Sequence, residues 1–216
     1  MSAEVERTEM LMDDELPPRQ FMGDLSQLPR YAHSHRSLTW WGMLGMIAIE
    51  GTAFALATAA YLYLVNHERH WPPNKLSPSL LYGTIFTVIS LLSAIPNYWL
   101  NKVANSERLR AVQIGLVVMS VIGLLLVGVR VFEFPALHVA WSDSAYGSIT
   151  VTILGLHTVH LVTDLIDTLV LTVLMFTRHA RGRRFVDVAE NAIYWNFVVI
   201  AWIPIYALLY FVPRWL

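Results

Sequence analysis

Five apolar stretches, each long enough to cross a bilayer, decide what this chain can fold into. They cover residues 38–65, 80–100, 111–137, 149–177 and 188–212. A spanning helix needs about 20 mostly apolar residues. The strands of a membrane barrel would be about 10 residues long with alternating polarity, and these runs are longer and do not alternate. Lipid offers no partner to a backbone N–H or C=O, so each run must satisfy those groups within itself, as a helix does. The sequence therefore predicts an all-α fold: an integral membrane bundle of five transmembrane helices.

Composition agrees. Of the 216 residues, 56% are hydrophobic and only 14% are charged, against about 25% charged in a soluble domain. Too few polar residues remain to cover a water-exposed surface. The absence of cysteine removes disulfides, thiolate metal sites and iron–sulfur clusters. No basic face points to a nucleic-acid partner. Residues 1–37 differ from the rest: they are polar, acidic at Asp13, Asp14 and Glu15, and carry Pro17, Pro18 and Pro29. They lack the basic start and apolar run of a signal peptide and read as a partly disordered tail on the cytoplasmic surface. Two regions follow, the tail at 1–37 and the transmembrane domain at 38–216. Pro72 and Pro73 break the first connection, and Pro135 ends the third helix. No internal repeat supports an inverted-repeat transporter.

Lysine and arginine set the expected orientation. Arg7, Arg19, Arg30, Arg36, Lys102, Arg108, Arg110, Arg178, Arg181, Arg183 and Arg184 fall on one side of the membrane. Arg69, Lys75 and Arg214 fall on the other, and Arg130 lies inside a span. The N-terminus of this multi-pass protein is therefore expected in the cytoplasm, or on the equivalent negative side, and the C-terminus outside. Trp40, Trp41, Trp71, Trp141 and Trp215 sit at helix ends, as an interfacial aromatic belt would place them.

Charges within the spans cost several kcal/mol unless paired, neutralised or wet, so each is a functional candidate. The ionisable ones are Glu50 in the first helix, Arg130 and Glu133 in the third, His157, His160, Asp164 and Asp167 in the fourth and Glu190 in the fifth, where the neutral polar Asn191 and Asn196 also lie. At about 100° per residue, positions 157, 160, 164 and 167 fall within an arc of roughly 80°. That polar stripe must face protein or water. One reading makes it a metal site or proton relay. The other makes it a docking surface against polar groups on neighbouring helices, Glu50 first among them. His157 and His160 lie one turn apart on one helix and cannot sit on opposite faces of one porphyrin, so no haem is expected in this chain. Arg130 and Glu133 read as an i,i+3 ion pair or as an outer-face contact with a partner subunit or lipid. Glu50 shares its helix with no basic residue. It is either protonated or hydrogen-bonded to the His157/His160 stripe.

These residues carry a resemblance. Trp41-Gly42-Met43 followed by Glu50 and Phe54 resembles the helix of cytochrome c oxidase subunit III that holds that family's membrane-embedded, carbodiimide-reactive glutamate. Arg130-Val131-Phe132-Glu133-Phe134 stands where the family has Gln-x-x-Glu-Tyr. Tyr146-Gly147-Ser148 and Leu154-Gly155-Leu156-His157-Thr158-Val159-His160 resemble its Tyr-Gly-Ser and Gly-Phe-His-Gly-x-His motifs. Tyr194-Trp195-Asn196-Phe197-Val198-Val199 stands where the family has Tyr-Trp-His-Phe-Val-Asp. The order is kept across nearly all of residues 38–213. Arg130, Asp164, Asn196 and Val199 depart from the family pattern, which marks a divergent branch. The five spans resemble short bacterial members that lack the first two of seven helices.

The resemblance implies a non-catalytic core subunit of a respiratory heme-copper oxidase. In that family haem and copper belong to subunits I and II. Subunit III packs on subunit I, binds phospholipid in a V-shaped cleft and protects turnover during oxygen reduction and proton pumping. The implied partners are subunits I and II, phospholipid and a respiratory supercomplex. The family's glutamate–histidine contact would map to Glu50 with His157 or His160. Trp40, Trp41, Arg183 and Arg184 are the candidate lipid contacts, suited to anionic head groups. Two other functions compete: an accessory subunit of a nitric oxide reductase, and a small ion-coupled membrane protein or metalloenzyme built on Glu50 and the His157/His160/Asp164 stripe.

Overall fold

A computed structural model describes residues 38–68, 71–72, 77–177 and 183–215. The chain divides into Met1–Leu38 and Thr39–Leu216, and the fold described is that of the second unit. The tail at 1–37 lies outside the described residues, as do Arg69, Lys75, Arg178 and Arg181.

The helices are α1 (Leu38–His67), α2 (Leu80–Asn105), α3 (Leu109–Glu133), α4 (Ala145–Met175), α5 (Arg183–Tyr210) and a short α6 (Val212–Trp215). The first five are long and apolar enough to cross a membrane, α5 running on into α6 in that respect. Third-helix periodicity stops at Glu133, four residues short of the apolar run's end. Pro135 cannot continue the α pattern, and Pro135–Leu137 turns as a 3-10 helix instead. Pro96 and Pro204 stay within α2 and α5, as prolines in membrane-spanning helices can.

Helices α2, α3, α4 and α5 form a closed ring in which each packs on the next, and α5 returns to α2. The ring is apolar outside, and its interior holds polar groups among apolar ones. Leu92 and Ile95 on α2, Val121 and Leu124 on α3, and Val159 and Val173 on α4 are exposed. Ser90, Asn97, Ser120, Arg130, His157 and Thr168 are buried. Keeping the polar groups inside is what lipid solvation demands. Small residues set the helix spacing: the Cα of Gly83 abuts the Tyr210 ring, Gly115 abuts Leu100, and Gly123 abuts Leu165. Hydrogen bonds then register the helices. Trp195 Nε1 donates to Ser93 Oγ at 2.8 Å, Trp202 Nε1 to Thr87 Oγ1 at 2.8 Å, and Gln113 Nε2 to the Met175 carbonyl at 2.8 Å.

Helix α1 stands apart from this ring. Among its described residues only Met43, Phe54 and Tyr61 are buried, while Ile49, Leu56 and Tyr63 are well exposed. Its C-terminal end is pinned through Trp71. This residue is 6% exposed, so it is a packing element and not the interfacial belt residue its position suggests. Its Nε1 donates to Tyr61 Oη at 3.0 Å, and its ring meets Tyr61 and Tyr146 edge-on. Trp41, Trp141 and Trp215 are exposed. On the same side of the bundle, Arg214 donates to the carbonyls of Tyr210 and Pro78, and Ser79 N–H donates to the Ala136 carbonyl at 3.0 Å.

Candidate functional site

The four residues of the α4 stripe do share one side of their helix, but they serve two separate polar clusters. The first is buried. Arg130 is 2% exposed and Glu133 is fully buried. Arg130 Nη1 donates to Glu133 Oε2 at 2.6 Å, and Tyr210 Oη donates to Glu133 Oε1 at 2.5 Å. The guanidinium carbon lies 3.6 Å from the Phe86 ring centroid and 4.0 Å from that of Trp202, a double cation–π arrangement between α2 and α5. Arg130 Nη2 meets His157 Nδ1 at 2.8 Å. An arginine nitrogen can only donate, so Nδ1 accepts and the ring proton sits on Nε2. That proton is given to the Val198 carbonyl at 3.0 Å. His157 therefore ties α3, α4 and α5 together with both ring nitrogens engaged, and Glu50 is not its partner.

The second cluster joins α1 to the ring. Glu50 Oε2 accepts from Tyr194 Oη at 2.7 Å. Its Oε1 lies 3.6 Å from His160 Nε2, within ion-pair reach of a protonated ring but long for a hydrogen bond. His160 Nδ1 donates to the Leu156 carbonyl at 2.6 Å, which aims Nε2 at α1. Phe54 packs on the His160 ring, with centroids 4.9 Å apart, and reaches Phe197 on α5. Of the two histidines open to Glu50 by sequence, geometry selects His160.

Asn191 of α5 completes this cluster. Its amide nitrogen faces two carboxylates, donating to Asp164 Oδ1 at 3.0 Å and Asp167 Oδ2 at 2.8 Å, while its oxygen accepts from Thr168 Oγ1 at 2.9 Å. A cavity of about 520 Å³ lies between α1, α4 and α5, bounded by Met43, Met46, Glu50, Thr163, Asp164, Asp167, Asp187, Glu190, Asn191 and Tyr194. Toward the N-terminal end of α1, Thr39 Oγ1 donates to Glu190 Oε1 at 2.9 Å, and Arg184 Nη1 meets Asp187 Oδ2 at 3.2 Å. The side chain of Arg183 lies outside the described residues. Among the described residues, no three His, Asp or Glu groups are placed to hold a metal ion.

Sequence reasoning located the ionisable groups but missed four aromatic partners: Phe86, Tyr194, Trp202 and Tyr210. Tyr194 and Tyr210 could have been found by asking which phenols lie on an inward face at the depth of Glu50 and Glu133. Asn196, one of the departures from the family pattern, accepts from Asn97 Nδ2 at 2.9 Å, and Asn97 also donates to the Ala192 carbonyl at 2.7 Å. It therefore joins α2 to α5.

Five helices long and apolar enough to cross a membrane, with buried acid–base groups that join one helix to another, define a polytopic membrane protein. Residues 43–214 match the cytochrome c oxidase subunit III family, and the chain belongs to that family. Members of it are subunit III of heme-copper terminal oxidases in the respiratory chain. Over 187 residues the chain is 26% identical to cytochrome c oxidase subunit 3 of Thermostichus vulcanus, covering 85% of this chain and 92% of that one. Over 184 residues it is 27% identical to cytochrome bo(3) ubiquinol oxidase subunit 3 of Pseudomonas aeruginosa, covering 83% and 88%. Over 139 residues it is 25% identical to cytochrome c oxidase subunit 3 of Patiria pectinifera, covering 63% of this chain and 53% of that longer one. The family supports the terminal-oxidase reading, and nothing in it supports the nitric oxide reductase alternative.

Proposed function

We propose that this chain is the non-catalytic third core subunit of a bacterial respiratory oxidase. It packs on the haem- and copper-bearing subunit I, neighbours subunit II, and sits in the cytoplasmic membrane with its N-terminus inside. Its role is to sustain oxygen reduction and proton pumping by the subunits that carry the metals, with bound phospholipid supporting the assembly. One observation carries the reading: the match over residues 43–214 includes the helix whose glutamate, Glu50, is anchored to α4 and α5 through His160 and Tyr194.

The test is purification of the complex through an affinity tag on this chain. The expected eluate shows a haem absorption spectrum, copper, and two larger partner chains by mass spectrometry. A haem-free monomer without oxidase partners would overturn the reading. The same preparation, assayed with reduced cytochrome c and with quinol, identifies the electron donor. Inactivation during sustained turnover is expected to accelerate in Glu50→Ala, with assembly retained.

A further inference from the structure

A ladder of aromatic rings climbs one side of α5 into α6. Trp202, Tyr206 and Tyr210 recur every four residues, and Phe211 and Trp215 continue the line. Ring centroids lie 6.1 Å apart for Trp202 and Tyr206, and 5.1 Å apart for Tyr206 and Tyr210. They lie 5.6 Å apart for Tyr206 and Phe211, and 5.9 Å apart for Phe211 and Trp215. Trp202 is buried in the bundle, whereas Trp215 is 80% exposed. Oxidisable rings thus lead from a surface position to the interior.

Three contacts set this ladder apart from rings that only fill space. Tyr210, 1% exposed, donates to Glu133 Oε1 at 2.5 Å, while Arg130 holds the other carboxylate oxygen. A fixed proton acceptor within hydrogen-bond reach lets a phenol lose an electron and its proton together, which spares the interior a phenol radical cation. Tyr206 Oη meets only the Thr84 hydroxyl, at 2.7 Å, which is no base, so oxidation passes through it without settling there. Trp202 has the Arg130 guanidinium carbon 4.0 Å from its ring centroid, and a positive ring there would be repelled. The ladder therefore has an exposed mouth, a sink at Tyr210 and a blocked inner end.

We propose that Trp215 and Tyr210 form a one-electron relay that disarms peroxyl radicals at the membrane interface nearest Trp215. The radical takes one electron from Trp215 and one proton from the aqueous phase and becomes a hydroperoxide. Tyr210 then returns an electron to Trp215 by way of Tyr206 and Phe211. Its phenolic proton passes to Glu133 Oε1, leaving a neutral tyrosyl radical. A water-soluble one-electron reductant restores the electron along the same path, and the proton returns from Glu133 to Tyr210. Burial is the point of the design: a radical left on exposed Trp215 adds oxygen and is lost, whereas one on Tyr210 is shielded until it is reduced. The relay depends on Trp215 lying at a membrane surface and not on the identity of the partner subunits.

The intact complex in nanodiscs is exposed to peroxyl radicals from a lipid-soluble azo initiator, with ascorbate in the buffer. Oxygenated tryptophan is quantified by peptide mass spectrometry. Trp141, 69% exposed and outside the ladder, serves as the internal reference. Oxygenation of Trp215 relative to Trp141 is expected to rise at least tenfold in Tyr210→Phe. It is expected to rise at least threefold in Tyr206→Phe, which keeps the ring but removes the oxidisable phenol. An unchanged ratio in assembled Tyr210→Phe overturns the proposal and leaves Trp215 as an interfacial anchor only. If Tyr210→Phe does not assemble, Tyr206→Phe decides by the same criterion. The haem spectrum of the same sample reports separately on the oxidase reading.

Discussion

Nη2 of Arg130 lies 2.8 Å from Nδ1 of His157, and that contact fixes the histidine's proton on Nε2, where the Val198 carbonyl accepts it. A residue that looks by sequence like a ligand or proton carrier is thereby spent on joining three helices. His157→Gln keeps an acceptor for the arginine, whereas His157→Leu leaves a guanidinium N–H buried and unmet. The leucine variant is expected to be less stable than the glutamine variant by about 1–3 kcal/mol. Thermal dissociation of this chain from the purified complex measures the difference, and equal stabilities would contradict the assigned tautomer.

Arg130 and Glu133 form a buried pair, so removing one partner should hurt more than removing both. Arg130→Gln strands the Glu133 carboxylate with Tyr210 alone and is expected to cost about 3–5 kcal/mol. Arg130→Gln/Glu133→Gln should recover a good part of that loss. A double-mutant cycle on thermal unfolding provides the measurement. If the double variant is as unstable as the single one, the arginine acts through its contacts with Phe86 and Trp202 instead.

Tyr194 Oη is the shortest polar contact that Glu50 makes. Tyr194→Phe retains the ring and its packing on Phe197 but removes that donor. Hydrogen bonds to charged groups are worth about 1.5–3 kcal/mol, so amide exchange in residues 43–54 should quicken by at least about tenfold. Exchange in α2 and α3 should not change. Hydrogen–deuterium exchange with peptide-level mass spectrometry resolves the two regions.

Glycines offer a contrast that needs no chemistry at all. A Cβ on Gly147 would lie 2.2 Å from the backbone oxygen of Ala140, while a Cβ on Gly155 would meet nothing within 4 Å. Gly147→Ala must therefore displace the turn that enters α4, whose Ser144 cap accepts from Gly147 N–H at 3.1 Å. Its expected result is loss of assembled subunit. Gly155→Ala should be neutral, or stabilising by up to about 1 kcal/mol. Immunoblots of membranes and purified complex distinguish the two.

Much of the fold could be read along the chain because the bilayer's demand is local. A run such as 80–100 must be a helix whatever surrounds it, and Pro135 stops α3 through its own missing N–H. The depth of Glu50, Arg130 and His160 along their helices was equally readable, as was the common side of the α4 stripe. What each group touches was not. His157 and His160 differ by one turn, yet one turns to Arg130 and the other to Glu50, a choice that a rotation of α4 by tens of degrees would reverse. Trp71 shows the same limit: its position near a helix end fits a belt, and only the approach of Tyr61 and Tyr146 makes it part of the interior.

The amino-acid order by itself determined the number and extent of the spans, because hydrophobic length is a property of one segment against lipid. The tertiary structure decided the pairing of the buried charges, the separation of α1 from the ring and the acidic cavity beneath it. These depend on how five helices tilt and rotate against one another, and no single helix encodes that geometry.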